Sequence, residues 1–318
     1  AEDKMKKRYL AIALVILSLI SLFIGVSNIS ITDILAGDSH KMKIILISRL
    51  PRLISIIIAG MGLSISGLIM QQISRNKFTS PTTAGTMDSA KMGLMFAMLF
   101  MPKAGVISKA VFSFIFALLG SLIFMTILKK LKVKNIIFVP LVGMMFGNLV
   151  SSITSFISYY KDMNQSLNAW FQGSFSTVMK GNYELLYLCI PAIILAFIYA
   201  NKFTIAGMGE SFATNLGLNH ARVVNIGLIL VSAVSALTLV MVGNIPFLGL
   251  IIPNLVSITK GDNLKNSLVE TCLFGGSFVL LCDIIGRVII APYEVSIGLT
   301  VGVIGSAMFL YLVMRRKK

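Results

Sequence analysis

Long apolar runs recur along the whole 318-residue chain, and only short polar stretches separate them. A transmembrane helix needs about 20 consecutive, mostly apolar residues, and a water-soluble core cannot bury so many runs of that length. Charged residues make up 13% of the chain, about half of the roughly 25% that is usual in soluble domains. The sequence therefore predicts an all-α, polytopic membrane protein without a sizeable soluble domain.

Segments bounded by charges or by Gly and Pro predict about ten transmembrane helices in a single membrane domain, residues 5–318. The eighth segment follows Pro246 and holds only about a dozen apolar residues, too few to cross the hydrocarbon core, so it predicts a half-helix. Ala1 to Lys4, which precede Met5, are interpreted as an addition foreign to the fold. The predicted segments are 9–27, 50–73, 83–101, 106–128, 136–159, 183–200, 222–243, 247–258, 266–289 and 296–314.

Lys and Arg are distributed unevenly between the two sides that these segments define. With both termini in the cytoplasm, the inner loops hold about twice as many basic residues as the outer loops, as the positive-inside tendency requires. The net charge of +16 is therefore interpreted as a result of topology and of contact with anionic membrane lipids. Nucleic-acid binding is not expected.

Signatures of intrinsic catalysis do not occur in the sequence. No G-x-x-x-x-G-K-[ST] phosphate-binding loop occurs, so any ATP hydrolysis must come from a partner. The two histidines, His40 and His220, stand alone in predicted loops, and the three cysteines lie inside apolar runs without metal-ligand spacing. We expect no catalytic residues, no cofactor and no metal site.

Few ionisable residues lie within the predicted spans. Asp88 and Lys91 are three residues apart, and Asp283 and Arg287 are four apart. The two residues of each pair can lie on one helix face, where their opposite charges neutralise each other. This favours a structural role. An ion-coupled secondary carrier usually needs ionisable groups in several spans, and it stays an alternative.

Two fixed positive charges stand at the predicted outer start of the second span, in the motif Arg49-Leu-Pro-Arg52. Pro51 suits the first turn of a helix. Arginines on the outer side run against the positive-inside tendency. They indicate either an acidic docking partner or side chains that extend along the membrane interface.

The predicted cytoplasmic loop at about 202–222 indicates a short amphipathic helix. Gly217 is suited to close that helix, Glu210 lies near its positive N-terminal end, and Phe212 and Leu216 fall on one face. Such a face binds either a groove in another protein or the lipid interface.

In their order along the chain, these motifs resemble the permease subunits of type II ATP-binding-cassette importers for iron-siderophores, haem and vitamin B12. The resemblance extends from about residue 45 to residue 314. The matching stretches are RLPR at 49–52, SGLIMQ at 66–71 continuing to Arg75-Asn76, WFQGS at 170–174, the loop 210–217, PFLGLIIPN at 246–254, CDIIGR at 282–287 and IGLTVGVIG at 297–305.

The resemblance implies a dimer of ten-helix subunits, with a second copy or a paralogue as partner and the pathway between them. It implies two ATPase subunits on the cytoplasmic side and one extracytoplasmic binding protein, a lipoprotein or a periplasmic protein. The whole would lie in the bacterial cytoplasmic membrane and import ferric siderophores by alternating access. Import of haem or cobalamin is the alternative within the family, and a membrane scaffold without transport is a third possibility.

The resemblance also assigns roles to residues of this chain. Arg49, Arg52 and Arg287 would receive acidic residues of the binding protein. The coupling helices that sit in a cleft of the ATPase correspond to the loop carrying Glu210, Ala213, Leu216 and Gly217. A cytoplasmic gate corresponds to Asn76 and Phe78, and pathway-lining positions to Asn148 and Trp170, although a lone Trp is also a common lipid anchor.

The sequence departs from the family pattern at two places, and one of them resembles a subgroup. Lys77 stands where the family usually has Pro, and Met87, Asp88 and Lys91 occupy a stretch of usually small residues. The run TAGTMDSAK at 83–91 resembles the permeases that serve catecholate and mixed-ligand siderophores such as petrobactin, anguibactin or enterobactin.

Overall fold

The computed structural model describes residues 2–25, 39–103, 105–131, 137–260 and 264–315. Within these ranges the chain is helical and forms no strand; one isolated bridge joins Gln172 to Asn244. The prediction of an all-α fold is confirmed. The basic residues at 132, 134 and 316–318, which the topology prediction uses, lie outside the described residues.

Each of the ten predicted segments coincides with a helix. A π-helical turn, Ile45–Arg49, joins α2 to α3, and a 3-10 turn, Glu184–Leu188, leads into α8. Three short helices, α2, α7 and α9, were not predicted. The helices are α1 Glu2–Phe23, α2 Ser39–Ile44, α3 Leu50–Ile73, α4 Thr86–Phe100, α5 Val106–Leu131, α6 Phe138–Tyr160, α7 Asn164–Phe171, α8 Cys189–Ile198, α9 Ala200–Gly207, α10 Glu210–Asn215, α11 His220–Val242, α12 Leu248–Lys260, α13 Leu264–Val288 and α14 Ile297–Arg315.

Five helical stretches in the described part of the chain are long and apolar enough to cross a membrane. They are Ser39–Ile73, α5, α6, α11 and the Ser267–Val288 part of α13. The 3-10 turn with α8, and α9 after it, form a sixth crossing if this pair, bent by 62°, is one broken span. The chain is therefore polytopic, and the segment predicted at 183–200 is the first half of a bent pair.

The predicted half-helix is α12, which has 13 residues. At a rise of 1.5 Å per residue it is about 20 Å long, clearly shorter than the roughly 30 Å hydrocarbon core.

The helix α3 lies at the centre of the fold. In its apolar stretch 83% of the residues are buried, against 33% in α5 and 28% in α6. A Cβ atom on Gly60 would lie 2.8 Å from the carbonyl oxygen of Gly275 in α13, and one on Gly67 would overlap the backbone of Gly249 in α12. Small residues thus bring three helices into backbone contact, which is the usual way that membrane helices pack.

Candidate functional site

The two groups of candidate residues lie at opposite ends of α3. This helix has 24 residues, so its ends are about 36 Å apart. We call the end that carries Arg49, Arg52, Asp283, Arg287 and Glu294 the arginine end. The other end, where residues 71–78 meet the loop 207–217, is called the coupling end.

At the arginine end, Arg52 binds two carboxylates at once. Its Nη1 donates to both carboxylate oxygens of Glu294, at 3.0 and 2.8 Å, and its Nη2 donates to Oδ1 of Asp283 at 2.8 Å. The other oxygen of Asp283 lies 2.7 Å from Nη2 of Arg287. The predicted pair of Asp283 and Arg287 is confirmed, and this pair extends into a network that joins α3, α13 and the loop before α14.

Arg49 and Arg287 hold the end of α1. Nη1 of Arg49 donates to the carbonyl oxygen of Leu22 at 2.6 Å, and Nη1 of Arg287 donates to those of Ser21 and Ile24 at 3.0 and 2.9 Å. The last carbonyls of a helix lack partners within the helix and carry its negative dipole end. The two arginines therefore satisfy the end of α1 and complement its dipole.

The three arginines differ in how far they reach solvent. Arg49 and Arg287 are 8% and 7% exposed, and both are bound to α1. The side chain of Arg52 is 13% exposed and that of Glu294 is 24% exposed, whereas Asp283 is at 4%. Two of the three predicted docking arginines are thus built into the fold, and Arg52 with Glu294 forms the accessible part of the network.

A cavity of about 400 Å³ opens beside this network, lined by Ile24, Gly25, Arg287, Val288, Ala291, Pro292 and Glu294. The Nε atoms of Arg52 and Arg287 are buried and have no hydrogen-bond acceptor among the described residues. Arg287 and Glu294 thus bring one positive and one negative side chain to the cavity wall, and Arg52 is connected to this wall through its contact with Glu294.

At the coupling end, α3 ends in a Schellman motif with Arg75 in the left-handed region at φ +53°. The amide of Asn76 donates to the carbonyl of Gln71 at 2.9 Å, and that of Arg75 to Gln72 at 3.1 Å. Glycine is the usual residue at this position because a side chain is strained there. The strained turn orients the residues that follow α3.

The predicted gate residues lie in this turn and are held from two sides. Oδ1 of Asn76 accepts a hydrogen bond from the amide of Phe78 at 2.8 Å. The Phe78 ring meets Phe309 of α14 edge-on, with centroids 6.3 Å apart. From α12, Nδ2 of Asn254 donates to the carbonyl of Lys77 at 2.8 Å. The structure therefore fastens the turn to both α12 and α14.

A second cavity, of about 520 Å³, separates this turn from the coupling loop. Its lining includes Gln71, Arg75, Asn76, Lys77, Thr204, Gly207, Met208 and Ser257. Neither Asn148 nor Trp170 lines it.

The coupling loop forms the short helix that the sequence predicts. Gly209, at φ +118°, precedes α10. A second Schellman motif closes α10, with Gly217 at φ +74° donating to Thr214 at 2.9 Å and Leu218 to Ala213 at 2.9 Å.

The two faces of α10 differ in burial. Ala213 is fully buried, while Phe212 and Leu216 are 47% and 59% exposed, and Glu210 is exposed. The helix packs on the rest of the protein through Ala213. Its outward face is apolar, with the carboxylate of Glu210 at one end.

The predicted pathway residues occupy separate places. Asn148 is on the exposed side of α6. Trp170, near the end of α7, lines a cleft of about 410 Å³ with Val106, Gln172, Ser174 and Gly243 among others, and the Nζ of Lys109 lies 4.6 Å from its ring centroid. The structure does not join them to the turn at Asn76, and their role stays a prediction.

Asp88 and Lys91 interact electrostatically, as predicted, but make no direct ion pair in the described segment 39–103. Lys91 is buried, and its Nζ donates to Oδ1 of Asn168 at 3.0 Å and lies 4.3 Å from the centroid of the Phe171 ring. The carboxylate of Asp88 lies against Gly147 of α6. The lysine therefore attaches α4 to α7, a helix that the sequence analysis did not predict.

Sequence reasoning missed Glu294. The residue follows Pro292 in the loop between α13 and α14 and belongs to no recognisable motif. The one signal that could have found it is its charge, since few acidic residues lie near the predicted outer ends of the helices.

Comparison with known proteins gives full-length matches. Petrobactin import system permease protein YclN of Bacillus subtilis is 58% identical over 313 residues, 98% of this chain and 99% of the relative. Ferric-anguibactin transport system permease protein FatD of Vibrio anguillarum is 39% identical over 94% of this chain and 95% of the relative. Petrobactin import system permease protein FatD of Bacillus anthracis is 37% identical over 96% of this chain and 90% of the relative. These relatives are transport components of importers and not enzymes.

Solved structures agree with this assignment. A metal-chelate type ABC transporter in an inward-facing conformation matches with a TM-score of 0.84 and 25% identity, over 98% of this chain and 99% of that chain. PsaBC from Streptococcus pneumoniae shares the fold, with a TM-score of 0.64 and 17% identity. The match covers 89% of this chain and 95% of that chain. A model of the FecCD transport family matches residues 13–315, and the chain belongs to that family.

Proposed function

We propose that the chain is the permease subunit of an ATP-driven importer that takes ferric-siderophore complexes from a binding protein and releases them in the cytoplasm by alternating access. The observation that carries the substrate class is the 58% identity to a petrobactin import permease over nearly the full length of both chains. The petrobactin and anguibactin permeases at 37% and 39% identity support the same class.

In this proposal the chain lies in the bacterial cytoplasmic membrane with both termini inside. The arginine end then faces outwards and the coupling end faces the cytoplasm. The excess of Lys and Arg in the loops assigned to the inside supports this orientation, as do Lys129 and Lys130 in the last turn of α5. The ends of α3 thereby correspond to two different partners.

The outer partner is an extracytoplasmic binding protein with acidic docking residues. Arg52 is the arginine best placed to meet them, because its side chain reaches solvent while Arg49 and Arg287 are bound to α1. Arg287 acts in docking by holding Asp283, which in turn positions Arg52, and both Arg49 and Arg287 add positive charge. Exposed charge pairs of this kind mainly set encounter rate and orientation.

The inner partner is an ATPase dimer, whose cleft receives α10. Leu216 and Phe212 supply an apolar contact and Glu210 a polar one, while Ala213 and Gly217 fix the helix on the permease. Movement of α10 reaches the gate turn through Arg75, since a Cβ atom on Gly209 would come within 3.3 Å of the Arg75 Nη1 atom. The binding energy of the ATPase then shifts the gate turn between an open and a closed state, as alternating access requires.

The pathway lies between this chain and a second permease, either another copy or a paralogue. The wide exposed faces of α5 and α6, where 33% and 28% of the residues are buried, leave area for both a partner and lipid. In this proposal Asn76 and Phe78 close the cytoplasmic side, and Asn148 and Trp170 line the route.

Uptake of radioactive iron in cells with and without the gene tests the proposal. Iron is supplied as petrobactin, anguibactin, enterobactin and other siderophore complexes, with labelled haem and cobalamin in parallel. We expect deletion to abolish uptake of one catecholate-type complex, and the restored gene to return it. Loss of haem or cobalamin uptake would make the substrate class wrong. Transport that persists without the ATPase and follows an ion gradient would indicate a secondary carrier, and unchanged uptake throughout would favour a scaffold.

A further inference from the structure

The two carboxylates that bind Arg52 are held in different ways. Asp283 is 4% exposed, and its two oxygens contact Arg52 and Arg287 separately. Glu294 is 24% exposed and contacts Arg52 with both oxygens. An exposed ion pair contributes little to stability, whereas a buried one is strongly destabilised when one partner is removed. Asp283 is therefore a fixed partner of Arg52, and Glu294 is an exchangeable one.

The cavity at the arginine end lies next to the exchangeable partner. Glu294 and Arg287 both line it, together with Gly25 and Pro292. Arg287 is more than nine-tenths buried, and its Nε has no acceptor among the described residues; the same holds for the Nε of Arg52. A carboxylate that entered this cavity would lie beside Arg287, on the side of the network where Glu294 contacts Arg52.

We propose that Glu294 occupies, in the undocked permease, the place that an acidic side chain of the binding protein takes on docking. This inference rests on the proposed function, because it presumes such a partner. The incoming carboxylate enters the cavity and replaces Glu294 on Arg52, while Asp283 keeps Arg52 in position. Glu294 is then a built-in competitor that lowers the affinity of docking and selects for a partner whose acidic group reaches into the cavity.

The exchange takes place close to the start of α14. Glu294 is three residues before Ile297, and the neighbouring Val295 amide donates to the carbonyl of Gly286 at 2.9 Å. The same helix carries Phe309, which packs on Phe78 at the coupling end. Release of Glu294 therefore loosens the loop that positions the helix in contact with the gate turn.

The test measures docking directly on the assembled transporter in lipid nanodiscs. The probe is the purified binding protein that supports iron uptake in the assay above, and its dissociation constant is measured for wild type and Glu294→Gln at two salt concentrations. We expect Glu294→Gln to bind roughly 2- to 5-fold more tightly, which is the loss of one exposed competing ion pair. Glu294→Asp keeps the charge and should bind as the wild type does.

The matched control is Glu184→Gln, which makes the same change of charge on an exposed glutamate. Its neighbour Lys180 donates to the carbonyl of Ile47 at 2.9 Å, so this region lies at the same end of the fold. Equal tightening in both variants would overturn the proposal, because it would reflect general electrostatics only.

Unchanged or weaker docking of Glu294→Gln, with a wild type that docks normally, would also overturn it and would leave the proposed function standing. A wild-type transporter that docks no binding protein at all would overturn both. A thermal-unfolding curve for each variant shows that the compared transporters are folded.

Discussion

Gly67 of α3 and Gly249 of α12 bring the backbones of their helices into contact, and a single methyl group on Gly67 would overlap the Gly249 backbone. We expect Gly67→Ala to push the half-helix α12 away from the central helix. Overpacking of this kind costs about 1–3 kcal/mol. The measurement is the thermal unfolding temperature of the purified transporter, which should fall.

The control for this variant is Gly276→Ala in α13. A Cβ atom there would lie 3.5 Å from Met61 Cγ, an ordinary van der Waals distance. We expect it to unfold at the wild-type temperature. A Gly67→Ala transporter as stable as this control would contradict the packing that the structure shows.

Arg75 combines a strained backbone with a side chain beside Gly209, and two substitutions separate these features. Arg75→Gly removes the strain at φ +53° and should keep or raise stability, by up to about 1 kcal/mol. Arg75→Ala keeps a side chain at the strained position, so the stability of this variant should not rise. Both remove the guanidinium, so both should lower the amount of cargo transported per ATP hydrolysed, measured in proteoliposomes. Full coupling in both variants would exclude Arg75 as the link between α10 and the gate turn.

Local sequence patterns were sufficient to predict most of the helices and one of the ion pairs. The half-helix α12 follows from the short run after Pro246, and the pair of Asp283 and Arg287 follows from its spacing on one helix face. The short helix α10 follows from Gly217 and the apolar spacing before it. In each case the signal lies within a few residues of the structure that it specifies.

The features of the fold and of the site that the sequence did not predict depend on contacts between distant parts of the chain. The bend between α8 and α9 occurs at Tyr199, where neither Gly nor Pro marks a break. The pair of Arg52 and Asp283 joins residues 231 positions apart. Arg49 and Arg287 donate to backbone carbonyls at the end of α1, which the sequence did not indicate, and their expected role in docking stays a prediction. No local pattern shows which carbonyl an arginine will reach.

Leu216 tests whether α10 binds a protein or lipid. Its side chain is 59% exposed, and truncation to Ala removes apolar contact with either. If the ATPase covers it, Leu216→Ala should weaken ATPase binding roughly 5- to 150-fold, because about 1–3 kcal/mol from the burial of apolar surface is lost. Co-purification of the ATPase and transport per ATP measure this effect.

The companion variants for that test are Leu119→Ala and Glu210→Gln. Leu119 is 50% exposed on α5, far along the chain from the coupling loop, and its truncation should leave ATPase binding unchanged. Glu210→Gln should lower coupling because it removes the charge at the tip of α10. If Leu216→Ala and Leu119→Ala behaved alike, α10 would be a helix at the lipid interface.

Arg52 and Arg287 are expected to fail in different ways when each is replaced by Gln. Arg287→Gln leaves carbonyls of α1 without their donor and the buried Asp283 without its ion-pair partner on the same helix. Loss of one partner from a buried pair costs about 3–5 kcal/mol. Less folded transporter and a lower unfolding temperature should result. Arg52→Gln releases the exposed Glu294 and removes the donor to Oδ1 of Asp283, but Asp283 keeps its ion pair with Arg287 and α1 keeps its contacts. We therefore expect a smaller loss of stability than in Arg287→Gln, while docking of the binding protein weakens and loses much of its salt dependence. Both quantities are measured on the same purified samples, by thermal unfolding and by titration with the binding protein. If Arg287→Gln were as stable as wild type and differed only in docking, the arginine would face the partner and not the end of α1.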